Sequence, residues 1–149
     1  MDEFTIRPLR DAHETLSVAL AIKPADDIVR DAVIQRFEYT FELAWKNLKR
    51  VLEEEYGRRD LTIRDMFREG ATLGLLEKPE DWLEFHRARN LTSHTYSRKT
   101  AKEVYKIAKK FATQAGRLVA KLSTFETHPA QPTARATRKG TGKKSLSRR

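Results

Sequence analysis

Apolar residues along this chain return at three- and four-residue steps, the spacing of one face of a helix, and no run alternates between turns in the way a strand requires. Phe37, Phe41, Ala44, Trp45, Leu48 and Leu52 make the clearest stripe and predict one buried face of a long helix over residues 26–56. Val104, Ile107, Ala108, Phe111, Ala115, Leu118, Val119, Leu122 and Phe125 predict a second, over 98–125. These two helices should form the centre of a bundle. A first helix over 4–21 turns Leu9, Ala12, Leu16 and Leu20 to one side, and the "KPADD" that follows ends it with a proline and supplies acids to the next N-terminus. Thr62 with Asp65 resembles a capping pair opening a short helix around "TIRDMFREGATL". Pro79, followed by Glu80 and Asp81, suits the first turn of a helix carrying Trp82, Phe85 and Arg89. With no internal repeat, the pattern predicts an all-α up-and-down bundle of about five helices.

The aromatic run "FEYTFELAW" at 37–45 could be a ligand box, but aromatics at helical spacing more often fill a core or a dimer interface continuous with it. Glu38 and Glu42, one turn apart, either line a cleft or are two solvated carboxylates; the second is the ordinary expectation for such a pair.

The length of 149 residues suits one globular unit. No stretch approaches the roughly 18 to 20 consecutive apolar residues of a membrane span, and "MDEFTIRPLRD" is charged where a signal peptide is apolar. A cytoplasmic protein is expected. The absence of cysteine removes disulfides and thiolate chemistry, and the four scattered histidines show no ligand spacing, so no metal and no cofactor are expected. The net charge of +9 suggests nucleic acid, but its distribution matters more. Residues 127–149, "THPAQPTARATRKGTGKKSLSRR", hold seven Lys or Arg and no acid, which leaves residues 1–126 with only +2. We therefore expect a helical unit over 1–126 and a disordered basic tail over 127–149, which either binds RNA loosely through counterion release or, the more ordinary expectation for such a charge run, is a solvated appendage with no specific role.

The chemistry is concentrated in "RARNLTSHTY", residues 87–96. In a continuous helix Arg89 and His94 would be about 140° apart and could not share one phosphate. Thr92, Ser93, Thr95 and Ser97 are weak helix formers that favour caps, and Thr100 with Glu103 offers a capping box for the last helix, so a break is predicted near 91–97. Such a junction would place a guanidinium, an imidazole and a phenol around one anion site. The set suits RNA cleavage by the ribose 2′-hydroxyl: histidine is a base near neutral pH, and arginine holds the phosphorane charge in bidentate geometry. An acid for the leaving oxygen is still needed. A two-fold dimer would bring a second Arg89 and His94 and so favours a composite site. Local composition leaves this reading open beside a plain hydrogen-bonded helix junction.

"RNLTSHTY" fits the Arg-x4-His-x-Tyr signature of HEPN domains, and together with "FEYTFELAWKNLK", the "DW" before "RARN" and the helix beginning "TAKEVY" the chain resembles the HepT toxins of HEPN/MNT toxin–antitoxin pairs, the branch also called nucleotidyltransferase substrate-binding proteins. The likeness covers residues 4–125 and stops before the tail. It implies a dimeric helical bundle in which Arg89 and His94 are the ribonuclease pair, Asn90 a polar, substrate-positioning companion, and Tyr96 the position that a cognate minimal nucleotidyltransferase modifies with AMP. RNA and that transferase are the implied partners. The chain holds no Gly-Ser pair, so it lacks the transferase's own signature. Two functions follow from the resemblance: a metal-independent endoribonuclease acting on cellular RNA, with tRNA a candidate target, or a non-catalytic subunit that presents substrate to the transferase. A third, a dimeric scaffold with no nucleotide role, requires the motif to be buried and fully bonded.

Overall fold

The computed structural model describes residues 3–127, and among these there are five α-helices and no strand. Ile6–Thr124 form one compact unit. The second consists of the two chain ends; of its described residues, Thr127 donates its backbone N–H to the Phe4 carbonyl at 3.0 Å, and Thr5 Oγ1 donates to Glu126. Apart from Thr127, the expected basic tail lies outside the described residues.

Each helix starts and stops for local reasons. Helix α1, Arg7–Leu20, has a proline in its first turn. Helix α2, Asp27–Tyr56, is capped by Asp26, whose carboxylate accepts from the Val29 N–H at 2.9 Å, and it ends at Gly57 with φ of 67°, the left-handed conformation that glycine adopts without a Cβ clash. Helix α3, Ile63–Thr72, opens at Thr62, which accepts from the Asp65 N–H as the capping pair predicts. Helix α4, Pro79–Asn90, begins on its proline with two acids in the first turn. Helix α5 runs Arg98–Leu122 and continues as a 3₁₀ turn over Ser123–Phe125.

The helices form an all-α bundle in which α1 lies on α2 and α5, α2 on α5, and α4 on both α5 and α3. Its centre is aromatic: Phe37 and Phe41 of α2, Phe67 of α3, Trp82 and Phe85 of α4 and Phe111 of α5 are all fully buried. Phe111 meets Phe37, Trp82 and Phe85 edge to face, with centroids 5.2–5.7 Å apart, and Phe67 joins through Trp82 at 5.8 Å. Such pairs contribute about 1 kcal/mol each beyond the area they bury, so four helices are tied to one cluster. The run at 37–45 is thus mainly core, with two corrections. Trp45, expected on the buried face, is only partly covered and lies beside the Lys46 ammonium, 5.9 Å from its ring; α2 instead buries Thr40, which the apolar stripe did not include. In α1 the buried position near the end is Ala19, with Leu20 half-covered.

Candidate functional site

Helix α4 ends where the sequence predicts a break. Residues Leu91–His94 form a 3₁₀ turn, Thr95–Ser97 complete the junction, and α5 starts at Arg98. The hydroxyls make this break stable: Thr92 Oγ1 donates to the Arg89 carbonyl at 2.7 Å and Thr95 Oγ1 to the Thr92 carbonyl at 3.1 Å. They satisfy carbonyls that a helix end leaves without partners. The cap of α5 differs from expectation. Ser97, not Thr100, is the N-cap, its Oγ accepting from the Thr100 N–H at 3.4 Å, while Glu103 pairs with Arg87 at 3.0 Å instead of closing a capping box.

The junction therefore divides its polar residues into two sets. Thr92, Thr95 and Ser97 are used to build it. The side chains of Asn90, His94 and Tyr96 make no hydrogen bond among the described residues, and Asn90 and His94 are exposed. The Tyr96 side chain is 88% exposed and touches His94 edge to face, with centroids 6.2 Å apart. Phenol and imidazole are thus brought together. Arg89 is not joined to either: within one chain it turns toward α2, donating from Nε to Glu42 Oε2 at 2.8 Å and placing Nη2 3.7 Å from Glu38 Oε2. The scaffold reading needed the motif buried and fully bonded, and His94 and Tyr96 are neither.

Glu38 and Glu42, expected as two solvated carboxylates, are instead the ion-pair partners of Arg89. They belong to a stripe on α2, Asp27, Asp31, Glu38 and Glu42, recurring at helical spacing along the face turned to the junction. Two clefts flank Tyr96 against this stripe. One, of about 340 Å³, lies between Thr92, Thr95 and Tyr96 on one side and Asp31, Gln35 and Glu38 on the other. The other, of about 260 Å³, is bounded by Asp27, Arg30 and Arg98. Asp27 accepts from both of these arginines, its Oδ2 lying 3.0 Å from Arg98 Nη2. Both clefts are polar, but the first is walled by two carboxylates and no cation, and in the second, which Asp31 also lines, both arginines are paired with Asp27, so neither carries the surplus positive charge that would draw in a phosphate. A third cleft, about 410 Å³ between Leu75, Leu76, Trp82 and Leu118, sits away from this chemistry, since Gln114 on its wall is about 24 Å along α5 from Arg98.

Among the described residues no three His, Asp or Glu side chains converge to hold a metal ion, and no helix is long and apolar enough to cross a membrane.

Residues 5–124 match the model of a family described as "Nucleotidyltransferase substrate binding protein like". Over 86 residues the chain is 35% identical to a Haemophilus influenzae protein named "Probable ribonuclease HepT"; the match takes in 52% of this chain and 59% of that protein's length. A crystal structure from Thermus thermophilus superposes with a TM-score of 0.71 at 30% identity, covering 76% of this chain and 98% of the other. HI0074 from Haemophilus influenzae, whose structure is described as revealing the fold of a substrate binding domain of a nucleotidyltransferase, gives 0.71 at 26% identity, covering 79% and 98%.

Proposed function

The chain belongs to the nucleotidyltransferase substrate binding protein-like family, and we propose that it is the toxin of a HEPN/MNT toxin–antitoxin pair, a cytoplasmic, metal-independent endoribonuclease that works as a homodimer. The observation that carries this reading is the set of side chains left over once the junction is built: an exposed His94 against an exposed Tyr96, one helix end from Arg89. The likeness to a probable ribonuclease supports it. In the proposed reaction His94 of one copy takes the proton of the ribose 2′-hydroxyl, whose oxygen attacks the adjacent phosphorus. The bond from phosphorus to the 5′ oxygen breaks, and that oxygen takes a proton from His94 of the second copy. The products are a 2′,3′-cyclic phosphate and a 5′-hydroxyl. Arg89 stabilises the charge that builds on the phosphorane, and Asn90 orients the ribose or phosphate beside it.

Control is assigned to Tyr96. A cognate minimal nucleotidyltransferase would attach AMP to its phenolic oxygen, breaking the α–β phosphate bond of ATP and releasing pyrophosphate. The bound AMP adds bulk and negative charge where the RNA phosphate must enter and competes for Arg89.

The test is cleavage of cellular RNA by freshly prepared protein in EDTA, with cyclic phosphate ends on the products. His94→Ala and Arg89→Ala should each abolish cutting and keep the helical content. Light scattering should show a dimer, and a monomer at micromolar concentration removes the composite site. If unmodified protein cuts no cellular RNA, the second reading stands: a subunit that presents substrate to a separate nucleotidyltransferase. The family's description as substrate-binding favours that reading.

A further inference from the structure

We propose that Glu42 is the positioning residue for Arg89, holding its guanidinium by one edge so that the opposite fork is presented to an RNA phosphate. This rests on the reading of Arg89 as a ribonuclease residue and adds a role for a side chain 47 positions away in sequence. The geometry of guanidinium is planar and fixed. Nε–H and one Nη2–H point to the same edge, and that edge faces the carboxylates: Nε donates to Glu42 at 2.8 Å and Nη2 lies 3.7 Å from Glu38. Nη1 and the remaining Nη2–H are left as a second, end-on fork, the geometry that takes two phosphate oxygens at once. A long arginine without this hold would spread over many rotamers, and the fork would seldom face its ligand.

The same carboxylates could instead act as an electrostatic latch, competing with phosphate for Arg89. Two considerations decide against it. Lys46 lies 3.9 Å from the other Glu42 oxygen and offsets part of the surplus negative charge. The pairs are also partly exposed, with Arg89 at 32%, so solvent and salt weaken the repulsion of an incoming phosphate, whereas the direction of a hydrogen bond is not screened.

The experiment compares Glu42→Ala, Glu42→Gln and Arg89→Ala. Glutamine keeps an acceptor for Nε–H and loses the charge; alanine loses both. We expect Glu42→Ala to lower kcat by about 10- to 100-fold with a smaller change in KM, Glu42→Gln to recover most of that loss, and Glu42→Ala to cost far less in an Arg89→Lys background, where residual cleavage can still be read. A readout independent of turnover is the Arg89 Nε–H signal in a nitrogen–proton correlation spectrum. It should persist in wild type and Glu42→Gln and be lost to solvent exchange in Glu42→Ala. A signal that survives in Glu42→Ala overturns the positioning role whatever the RNA shows. Turnover that rises in both variants, and does so less at high salt, replaces it with the latch. Full cleavage by Arg89→Ala, by contrast, defeats the ribonuclease reading itself and the proposal with it.

Discussion

Gly116 sits inside α5 where α1 crosses it, and replacing it with alanine sets two opposed effects against each other. A Cβ there would lie 3.2 Å from His13 Cε1 and 3.3 Å from its Nε2. The ring is not free to swing away, because Nε2 donates to the Ala112 carbonyl at 2.7 Å. It must yield by a few tenths of an ångström, stretching a hydrogen bond whose net contribution is about 1 kcal/mol. Against this, alanine in a helix interior gains roughly 1 kcal/mol over glycine. The two nearly cancel, so Gly116→Ala should leave stability almost unchanged. In a His13→Ala background the opposing contact is gone and the same substitution should stabilise by about 1 kcal/mol, a rise in Tm of about 4 °C for a unit of this size. Urea unfolding of the four proteins, followed by circular dichroism, gives the coupling energy directly. An equal gain in both backgrounds would refute the reasoning, since it would mean that His13 does not press on α5 at all.

Three further outcomes are expected. Burial pushes the Asp81 carboxyl up, but hydrogen bonds from Gln114 Nε2 at 2.7 Å and Lys110 Nζ at 3.0 Å outweigh it, and its pKa falls below the ordinary 3.8. A lowered carboxylate contributes stability above its unfolded pKa and loses it as pH drops through the folded one, so Asp81→Asn should be less stable at neutral pH and the difference should shrink below pH 3.8 in urea titrations. Arg89→Lys should lose about 100-fold in RNA cleavage, because one ammonium cannot serve Glu42 and a phosphate together; activity within threefold of wild type would show that charge alone suffices. Tyr96→Phe should cleave RNA yet escape suppression when coexpressed with the transferase, and mass spectrometry should find AMP on the Tyr96 peptide of the wild type only.

The elements of the fold were legible because their signals are local. The 37–52 stripe, the Thr62 cap and Pro79 each act within a turn or two of themselves, and the helices appear where those residues place them. The misreadings come where two local signals compete or a distant partner decides. Ser97 and Thr100 are both competent caps; the chain uses the earlier one, and Glu103 pairs with Arg87 on α4 instead of reaching back to close a capping box. Trp45 continues the apolar spacing, yet α2 rotates enough to bury Thr40 in the core and leave the indole at its edge. The motif residues Arg89, His94 and Tyr96 could be picked out by type and spacing, but the partners of Arg89 could not. A pair 47 residues apart depends on how α2 and α4 pack. Its trace in the sequence is the recurrence of Asp27, Asp31, Glu38 and Glu42 on one face, a stripe that reads as solvated until something cationic is known to lie opposite.

Asp27 and Glu42 anchor the two exits of the junction to a single helix, Arg98 at one end and Arg89 at the other. Fifteen residues of α2, about 22 Å, separate these anchors, so α2 works as a ruler against which the length of the 91–97 segment is set. The anchors are unequal. The Arg98–Asp27 pair is open to water, with side chains 70% and 61% exposed, and such pairs contribute little, whereas Arg89 and Glu42 are each about a third exposed and hydrogen-bonded. A residue inserted into the segment, or deleted from it, should therefore open the Arg98–Asp27 pair first and be taken up within the exposed turn around Tyr96, since Arg89 is held more firmly and α5 beyond the turn is fixed by the buried Ala101, Val104 and Phe111. Loop length in this architecture is thus a means of changing the reach of the exposed Tyr96 while Arg89 keeps its place.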